Sequence, residues 1–385
     1  MLLAALATGC GGGHHARPRA AARPAPPPLA LGVTEANPFL LEPAATAPAF
    51  AAWRERLAAL RPRYLRLLVV WSQVQPSPDA PPDWSAPADG CLRGVPPCAP
   101  FAGIRDELRA ARAAHLQVLL TILGTPAWAA AAPTGCERPG TTPGARMPAN
   151  LDAYRALVRS LLAEARSDGA DIGYWSPWNE PNHPAFLNPQ RARCSRDAPT
   201  LAAAGYAELA RAMKIELDAA PGDQHLVLGD AAGYDDARPA ATGAAELARA
   251  LPDDVVCAGS VWAQHAYVEA GGDLAADTQP PGAEPLLHDV EAALASHDCP
   301  GPPPRIWITE TGARPQTGAA GCAAMAQALR IWADDPRVDA AFQYTFRADT
   351  AFDVGLADPG LTAARPAYGA WLAAAQGRPG QGCAT

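Results

Sequence analysis

Lysine is almost absent from this chain: of its 31 lysines and arginines, only Lys214 is a lysine. Arginine therefore carries the positive charge, and after residue 30 it forms no basic run. With a formal net charge of −8, this distribution argues against a nucleic-acid backbone as partner. No stretch offers the ~20 uninterrupted apolar residues of a membrane-crossing helix. No CxxC spacing occurs, so neither a zinc site nor a redox dithiol is suggested. No repeat is visible, and no Gly-rich nucleotide loop follows the first apolar run. What remains is 385 residues with 49% hydrophobic content, enough for one large domain with a sizeable core.

The N-terminus points to export. Residues 1–10 are small and apolar and close on Ala7-Thr8-Gly9-Cys10. They look like the remnant of a bacterial lipoprotein signal in which Cys10 is lipidated, although no positively charged region precedes them. Residues 11–28, rich in proline, alanine and arginine, read as a disordered linker, and 376–385 as a C-terminal tail. Setting Cys10 aside leaves eight cysteines, an even number that suits disulfides in an oxidising compartment. A secreted or surface-anchored location is expected.

Between residues 29 and 375, short apolar runs alternate with amphipathic stretches. Eight runs read as strands: Leu29–Glu35, Tyr64–Trp71, Gln117–Gly124, Ile172–Glu180, His225–Asp230, Ser260–Val268, Arg305–Glu310 and Asp339–Phe346. Helical spacing is clearest at Tyr154, Leu157, Val158, Leu161 and Leu162, at Leu286, Leu287, Val290 and Leu294, and at Met325, Leu329 and Trp332. Asn150 and Pro221-Gly222 supply start and stop signals. Strand–helix alternation repeated eight times predicts a single (β/α)8 TIM barrel, since parallel strands need helical crossovers. The inserts at Gln75–Pro100 and Pro126–Pro148 then become long βα loops over the mouth, after strands two and three. In that barrel sequential cysteine pairing is geometrically sensible: Cys91 with Cys98, Cys136 with Cys194, Cys257 with Cys299, Cys322 with Cys383.

Two glutamates end separate strand runs: Glu180 in YWSPWNEPNHP and Glu310 in RIWITETGA. Strand ends converge at one mouth of a barrel, where paired carboxylates are the equipment for cleaving a glycosidic bond. One must protonate the departing oxygen while the other attacks the anomeric carbon. Glu180, between Trp178-Asn179 and Pro181, has the half-apolar setting of the acid, and Glu310 is the candidate nucleophile. Asn179 is placed to hydrogen-bond the sugar 2-hydroxyl.

Asn179-Glu180-Pro181 at strand four, His265-Ala266-Tyr267 at strand six and Thr309-Glu310-Thr311-Gly312 at strand seven resemble, in that order, the glycoside hydrolase clan A barrels. Family 39 and related bacterial exopolysaccharide hydrolases look nearer, family 5 more distant. The resemblance runs from Leu29 to about Leu372 and also takes in Arg66 and Thr125-Pro126-Ala127-Trp128. It implies that Arg66 and Tyr267 contact and tune the nucleophile, that His265 lines the same pocket, and that anomeric configuration is retained. Members of family 39 often carry an added β-sandwich, for which there is no room beyond Ala375.

Trp71, Trp128 and Trp178 lie at strand ends, where indoles either stack on sugar rings or pack in the core; two of the three are expected in the cleft, Trp128 first. Trp53, Trp332 and Trp371 sit in helical patterns and read as packing. The eighth strand offers Tyr344 as a subsite aromatic, beside Gln343, Phe346 and Arg347, while His183 either binds substrate or caps a loop. The expected protein is a monomeric retaining hydrolase of β-linked oligo- or polysaccharides, without metal or organic cofactor. A transglycosidase, or a non-catalytic glycan-binding surface lipoprotein, would use the same barrel.

Overall fold

The computed structural model describes residues 29–41, 50–86, 103–137, 140–233, 240–268, 286–348 and 352–383. Cys10 with the rest of 1–28, and Cys91 and Cys98, lie outside the described residues.

Eight parallel strands close into one barrel in sequence order: β1 (Ala30–Thr34), β2 (Tyr64–Val70), β3 (Gln117–Leu123), β4 (Ile172–Ser176), β5 (His225–Ala231), β6 (Val261–His265), β7 (Arg305–Thr311) and β8 (Val338–Tyr344). All eight expected strands are present with shifted ends: β5 runs one residue past Asp230 and β7 one past Glu310, while β4 and β6 stop short of the expected Glu180 and Val268. β4 stops at Ser176 because Pro177 has no N–H to continue the ladder. Helices return the chain on the outside, among them Leu151–Asp168, Ala202–Ala219 and Gly318–Asp334.

The helix Leu151–Asp168 illustrates the local logic. Asn150 caps it by accepting from the Asp152 N–H at 2.8 Å, and Gly169 ends it in the left-handed conformation at φ 65°. Its 3.6-residue stripe of Tyr154, Leu157, Val158, Leu161 and Leu162 is buried against the sheet.

The barrel interior has two characters. Its lower layer is an aromatic plug of Tyr64, Tyr174, Trp307 and Phe342, with Tyr64 and Tyr174 at 4.6 and 4.5 Å from Trp307 by ring centroid. Gly32 on β1 makes room for it, since a Cβ there would lie 2.4 Å from Phe342. Above the plug the inward positions turn polar: Arg66, Thr121, Asp230, His265 and Thr309 are all buried. An aromatic floor beneath a buried polar layer leaves the charged side chains toward the C-terminal mouth, where barrel enzymes carry their sites.

Three disulfides follow the expected pairing. Cys136–Cys194 joins the loops after β3 and β4 at the mouth, Cys257–Cys299 joins segments leading into β6 and β7, and Cys322–Cys383 ties the C-terminal tail to helix Gly318–Asp334. Such bridges fit an oxidising, extracytoplasmic compartment. No described helix is long and apolar enough to cross a membrane.

Candidate active site

Arg66, on β2, is fully buried and reaches three acceptors. One terminal nitrogen donates to Glu310 Oε1 at 2.5 Å; the other donates to Asn179 Oδ1 at 2.7 Å and Asp230 Oδ2 at 2.8 Å. Tyr267, just past β6, donates its hydroxyl to the second Glu310 oxygen. Glu310 is thereby gripped at both oxygens, one by a fixed cation and one by a phenol. Burial and the Glu310 charge hold the Tyr267 hydroxyl well above its usual range, so it remains a donor.

His265 faces the other glutamate. Its Nδ1 lies 2.8 Å from Glu180 Oε1 and 3.5 Å from a Glu310 oxygen, and its Nε2 lies 3.1 Å from Asp230 Oδ1. Burial pushes the imidazole down, but Glu310, Asp230 and Glu180 outweigh it and raise the ring to about 10. His265 is therefore an imidazolium at neutral pH, donating from both nitrogens. Burial would likewise raise the Asp230 carboxyl, yet Arg66 and His265 hold it well below the usual carboxylate range.

Glu180 and Asp230 share a backbone peculiarity. Both are non-glycine residues in the left-handed region, at φ 42° and 50°, and the Glu180 N–H donates to the Asp230 carbonyl at 2.8 Å. Such conformations cost of order 1–3 kcal/mol each and persist only where the surroundings fix them. Asn182 supplies part of that fixing. Its amide accepts from the Ala232 N–H and donates to the Ala232 and Thr242 carbonyls, stapling the loop after β4 to the one after β5.

Six residues singled out in the sequence thus converge: Arg66, Asn179, Glu180, His265, Tyr267 and Glu310. Asp230 was missed as a site residue. It ends an apolar run, as a loop charge also would, and only the three-dimensional arrangement reveals that it accepts from Arg66, His265, Thr121 and Thr309.

The aromatic expectations need correction. Trp71 and Trp178 have no accessible surface and belong to the core, so they cannot stack on a sugar. The Trp71 ring packs edge-on to Trp128 at 5.7 Å and to Tyr154 at 6.1 Å, because the chain turns into a short helix, Trp71–Val74, as soon as β2 ends. Trp178 donates its indole N–H to the Phe186 carbonyl at 2.8 Å. Trp128 is half-buried, with its N–H on the Gln75 carbonyl. On β8, Tyr344 faces the site, 6.4 Å from the Tyr267 ring, and Phe352 completes the group at 4.7 Å from Tyr267. Phe352 had no sequence signal, since a lone aromatic in a loop resembles any other. Gln343 and Phe346 are buried, Gln343 donating to the Tyr344 and Val354 carbonyls and Phe346 packing against Trp53. His183 accepts from the Ala185 N–H at 3.0 Å, which is loop capping.

Among the described residues, one group has the donors to hold a metal ion: Glu180, His265 and Glu310, whose ligating atoms lie within 4.8 Å of one another. Both nitrogens of His265 are already committed to carboxylates, and Arg66 sits on Glu310. Each glutamate of the group therefore already has a cationic partner where a metal ion would bind, Arg66 on Glu310 and His265 on Glu180. The arrangement instead suits acid–base and nucleophilic chemistry by two carboxylates.

No protein-family model matches the chain, and no curated protein matches it by sequence. Solved structures do. The chain is similar to a family 39 glycoside hydrolase from the gut symbiont Bacteroides cellulosilyticus WH2, with TM-score 0.56 and 16% identity over 90% of this chain and 63% of that one. It is similar to a monomeric β-xylosidase from Caulobacter crescentus CB15, with TM-score 0.56 and 16% identity over 90% and 68%. It is also similar to a GH5_18 protein from Streptomyces cattleya in complex with GlcNAc, with TM-score 0.56 and 19% identity over 91% and 80%. The chain spans less than two thirds of the family 39 structure. The likeness is one of fold: this chain shares the (β/α)8 barrel of those glycoside hydrolases.

Proposed function

We propose that this protein is a retaining glycoside hydrolase that cleaves β-linked glycans at the mouth of its barrel. The observation that carries the reading is the closeness of Glu180 and Glu310, whose nearest oxygens lie within 4.8 Å. Retaining enzymes hold their carboxyls about 5–5.5 Å apart, whereas inverting enzymes leave about 6.5–9.5 Å for a water between them. Fold relatives that include a β-xylosidase and a structure with GlcNAc bound support a carbohydrate substrate.

Geometry assigns the roles. Arg66 and Tyr267 grip both oxygens of Glu310 and hold it for attack on the anomeric carbon, whereas Glu180 meets His265 through one oxygen, Oε1, and serves as the acid and then the base.

In the first step Glu310 attacks the anomeric carbon, the C1–O bond breaks, and the Glu180 proton goes to the departing oxygen. Glu180 becomes an anion as its His265 contact strengthens into a full ion pair, which favours departure. Arg66 and Tyr267 lose an ionic partner while the ester stands and regain it as Glu310 leaves, which favours the second step. There Glu180 takes a proton from water, the water oxygen bonds to C1, and the C1–Glu310 bond breaks. The Asn179 carbonyl is taken by Arg66, which leaves its amide NH2 to donate to the sugar 2-hydroxyl. Tyr344, Phe352 and Trp128 offer half-buried rings for the sugar faces.

The export reading is part of the proposal: Cys10 is lipidated and anchors a monomer at the cell surface, with residues 11–28 as tether. Proton NMR of the first sugar released from a panel of aryl β-glycosides tests the mechanism. The β-anomer is expected before mutarotation, and an α-anomer first would overturn retention. Longer oligosaccharide products instead of free sugar would move the assignment to transglycosylation.

A further inference from the structure

We propose that Asp230 is a positioning residue that sets both glutamates at once: one oxygen holds Arg66, which grips Glu310, and the other holds His265, which grips Glu180. The inference rests on the glycosidase reading for its kinetic consequences, but its geometry does not.

Asp230 has no accessible surface, so it cannot touch a glycan. Its Oδ2 accepts from Arg66 at 2.8 Å and from Thr121 at 2.7 Å, and its Oδ1 from His265 at 3.1 Å and Thr309 at 2.7 Å. The two threonines come from β3 and β7, on either side of the barrel. They lock the carboxylate plane so that one oxygen faces each cation. Its main chain acts as well, since the Asp230 carbonyl takes the Glu180 N–H while both residues hold positive φ. Side chain and backbone of one residue thus reach the acid, and a single guanidinium separates it from the nucleophile.

Electrostatics point the same way. Around His265 stand Asp230 from β5, Glu180 from the end of β4, Glu310 from β7 and Tyr267 beyond β6; Arg66 from β2 completes the layer. Tyr206, from the helix outside β5, also senses the Asp230 charge. Removing the Asp230 charge deprives both cations of a buried counter-ion, and the imidazole alone can respond by losing its proton.

The test compares wild type with Asp230→Asn, which keeps shape and loses charge, and with Thr309→Val, which keeps the charge but frees one oxygen. The second variant serves if the first does not fold. On both 4-nitrophenyl and 2,4-dinitrophenyl β-glycosides, kcat per titrated active site should fall about 100-fold in Asp230→Asn, with KM changed less than about threefold, as for misplaced reacting groups. Glu180→Gln should spare kcat/KM on the dinitrophenyl substrate, whose departure needs no acid, although its kcat falls because Glu180 is also the base of the second step; that contrast in kcat/KM separates loss of both glutamates from loss of the acid alone. Independently of activity, 15N-histidine NMR should move the His265 midpoint down from about 10 by about 1–3 pH units in Asp230→Asn. For Thr309→Val a smaller loss, about tenfold, is expected, again in kcat.

Unchanged kcat per active site together with an unmoved His265 midpoint would overturn the proposal and leave Asp230 a purely structural residue. Loss on the 4-nitrophenyl substrate alone would overturn the link to Glu310. If wild type cleaves no glycoside while the His265 midpoint still moves, the glycosidase reading fails and the positioning role stands.

Discussion

Arg66 is the most demanding side chain in the barrel, a buried guanidinium whose two terminal nitrogens are met by Glu310, Asn179 and Asp230 while its Nε has no hydrogen-bond partner. A lysine at that position is a point charge that cannot span three acceptors, so Arg66→Lys should lower kcat about 100-fold while leaving the fold assembled. Far-UV circular dichroism beside steady-state kinetics reads the two effects separately. Turnover in Glu310→Gln and Glu180→Gln on 4-nitrophenyl β-glycosides should fall by about three orders of magnitude or more. The indoles divide differently. Trp128→Ala should raise KM and spare stability, whereas Trp71→Ala should cost about 3–5 kcal/mol in denaturant titration, because it empties a fully buried site. Residue types fixed by chemistry were legible in the chain: a glutamate after Trp-Asn and another inside Thr-Glu-Thr-Gly announce themselves. The burial of Trp71 and Trp178 was not, because a strand-end indole has the same local sequence whether it turns inward or outward. Asp230 was hidden for the converse reason, since nothing local distinguishes an aspartate that serves four partners from one that serves water.

At the scale of elements, the strands act as arms that bring distant residues to one layer, and the loops after β3 and β4 are braced by Cys136–Cys194. Opening that bridge with the double replacement Cys136→Ser and Cys194→Ser should cost roughly 4 kcal/mol, from the chain entropy of its 58-residue separation. Because the bridge sits at the mouth, KM should rise as well. A second element-level effect comes from the end of β1. Glu35 accepts from the Asn37 and Arg347 backbone N–H groups, yet burial pushes its carboxyl up to about 7, from 4.5. The folded state therefore holds its proton more tightly than the unfolded chain. Stability is fully present below about pH 4.5 and is lost as pH rises through about 7, by roughly 3 kcal/mol. Urea midpoints should fall between pH 5 and pH 8, and that fall should flatten in Glu35→Gln; an unchanged slope would remove Glu35 as its source. Strand positions were readable because eight buried parallel strands leave near-continuous apolar runs. Their ends were less so: β6 stops at His265, short of the expected Val268, because the pairing register shifts where the site begins.

For the whole molecule, the barrel separates stability from chemistry. The aromatic plug of Tyr64, Tyr174, Trp307 and Phe342 fills the floor, and above it Arg66, Glu180, Asp230, His265, Tyr267 and Glu310 interact largely buried, where small displacements matter. Fold class was legible from the eightfold alternation alone, and the three bridges followed from the sequential order of their cysteines once that alternation was read as a barrel. Substrate identity is written in the loops over the mouth, whose sequence carries no periodicity to read. In the proposed mechanism Glu310 becomes covalently bonded to sugar in the course of turnover. The most direct measurement is intact-protein mass spectrometry and peptide mapping after incubation with a panel of 2,4-dinitrophenyl 2-deoxy-2-fluoro-β-glycosides, which slow the second step. A mass gain of one fluoroglycosyl group is expected, carried by Glu310 and absent from Glu310→Gln; attachment to any other residue would rule out Glu310 as the nucleophile.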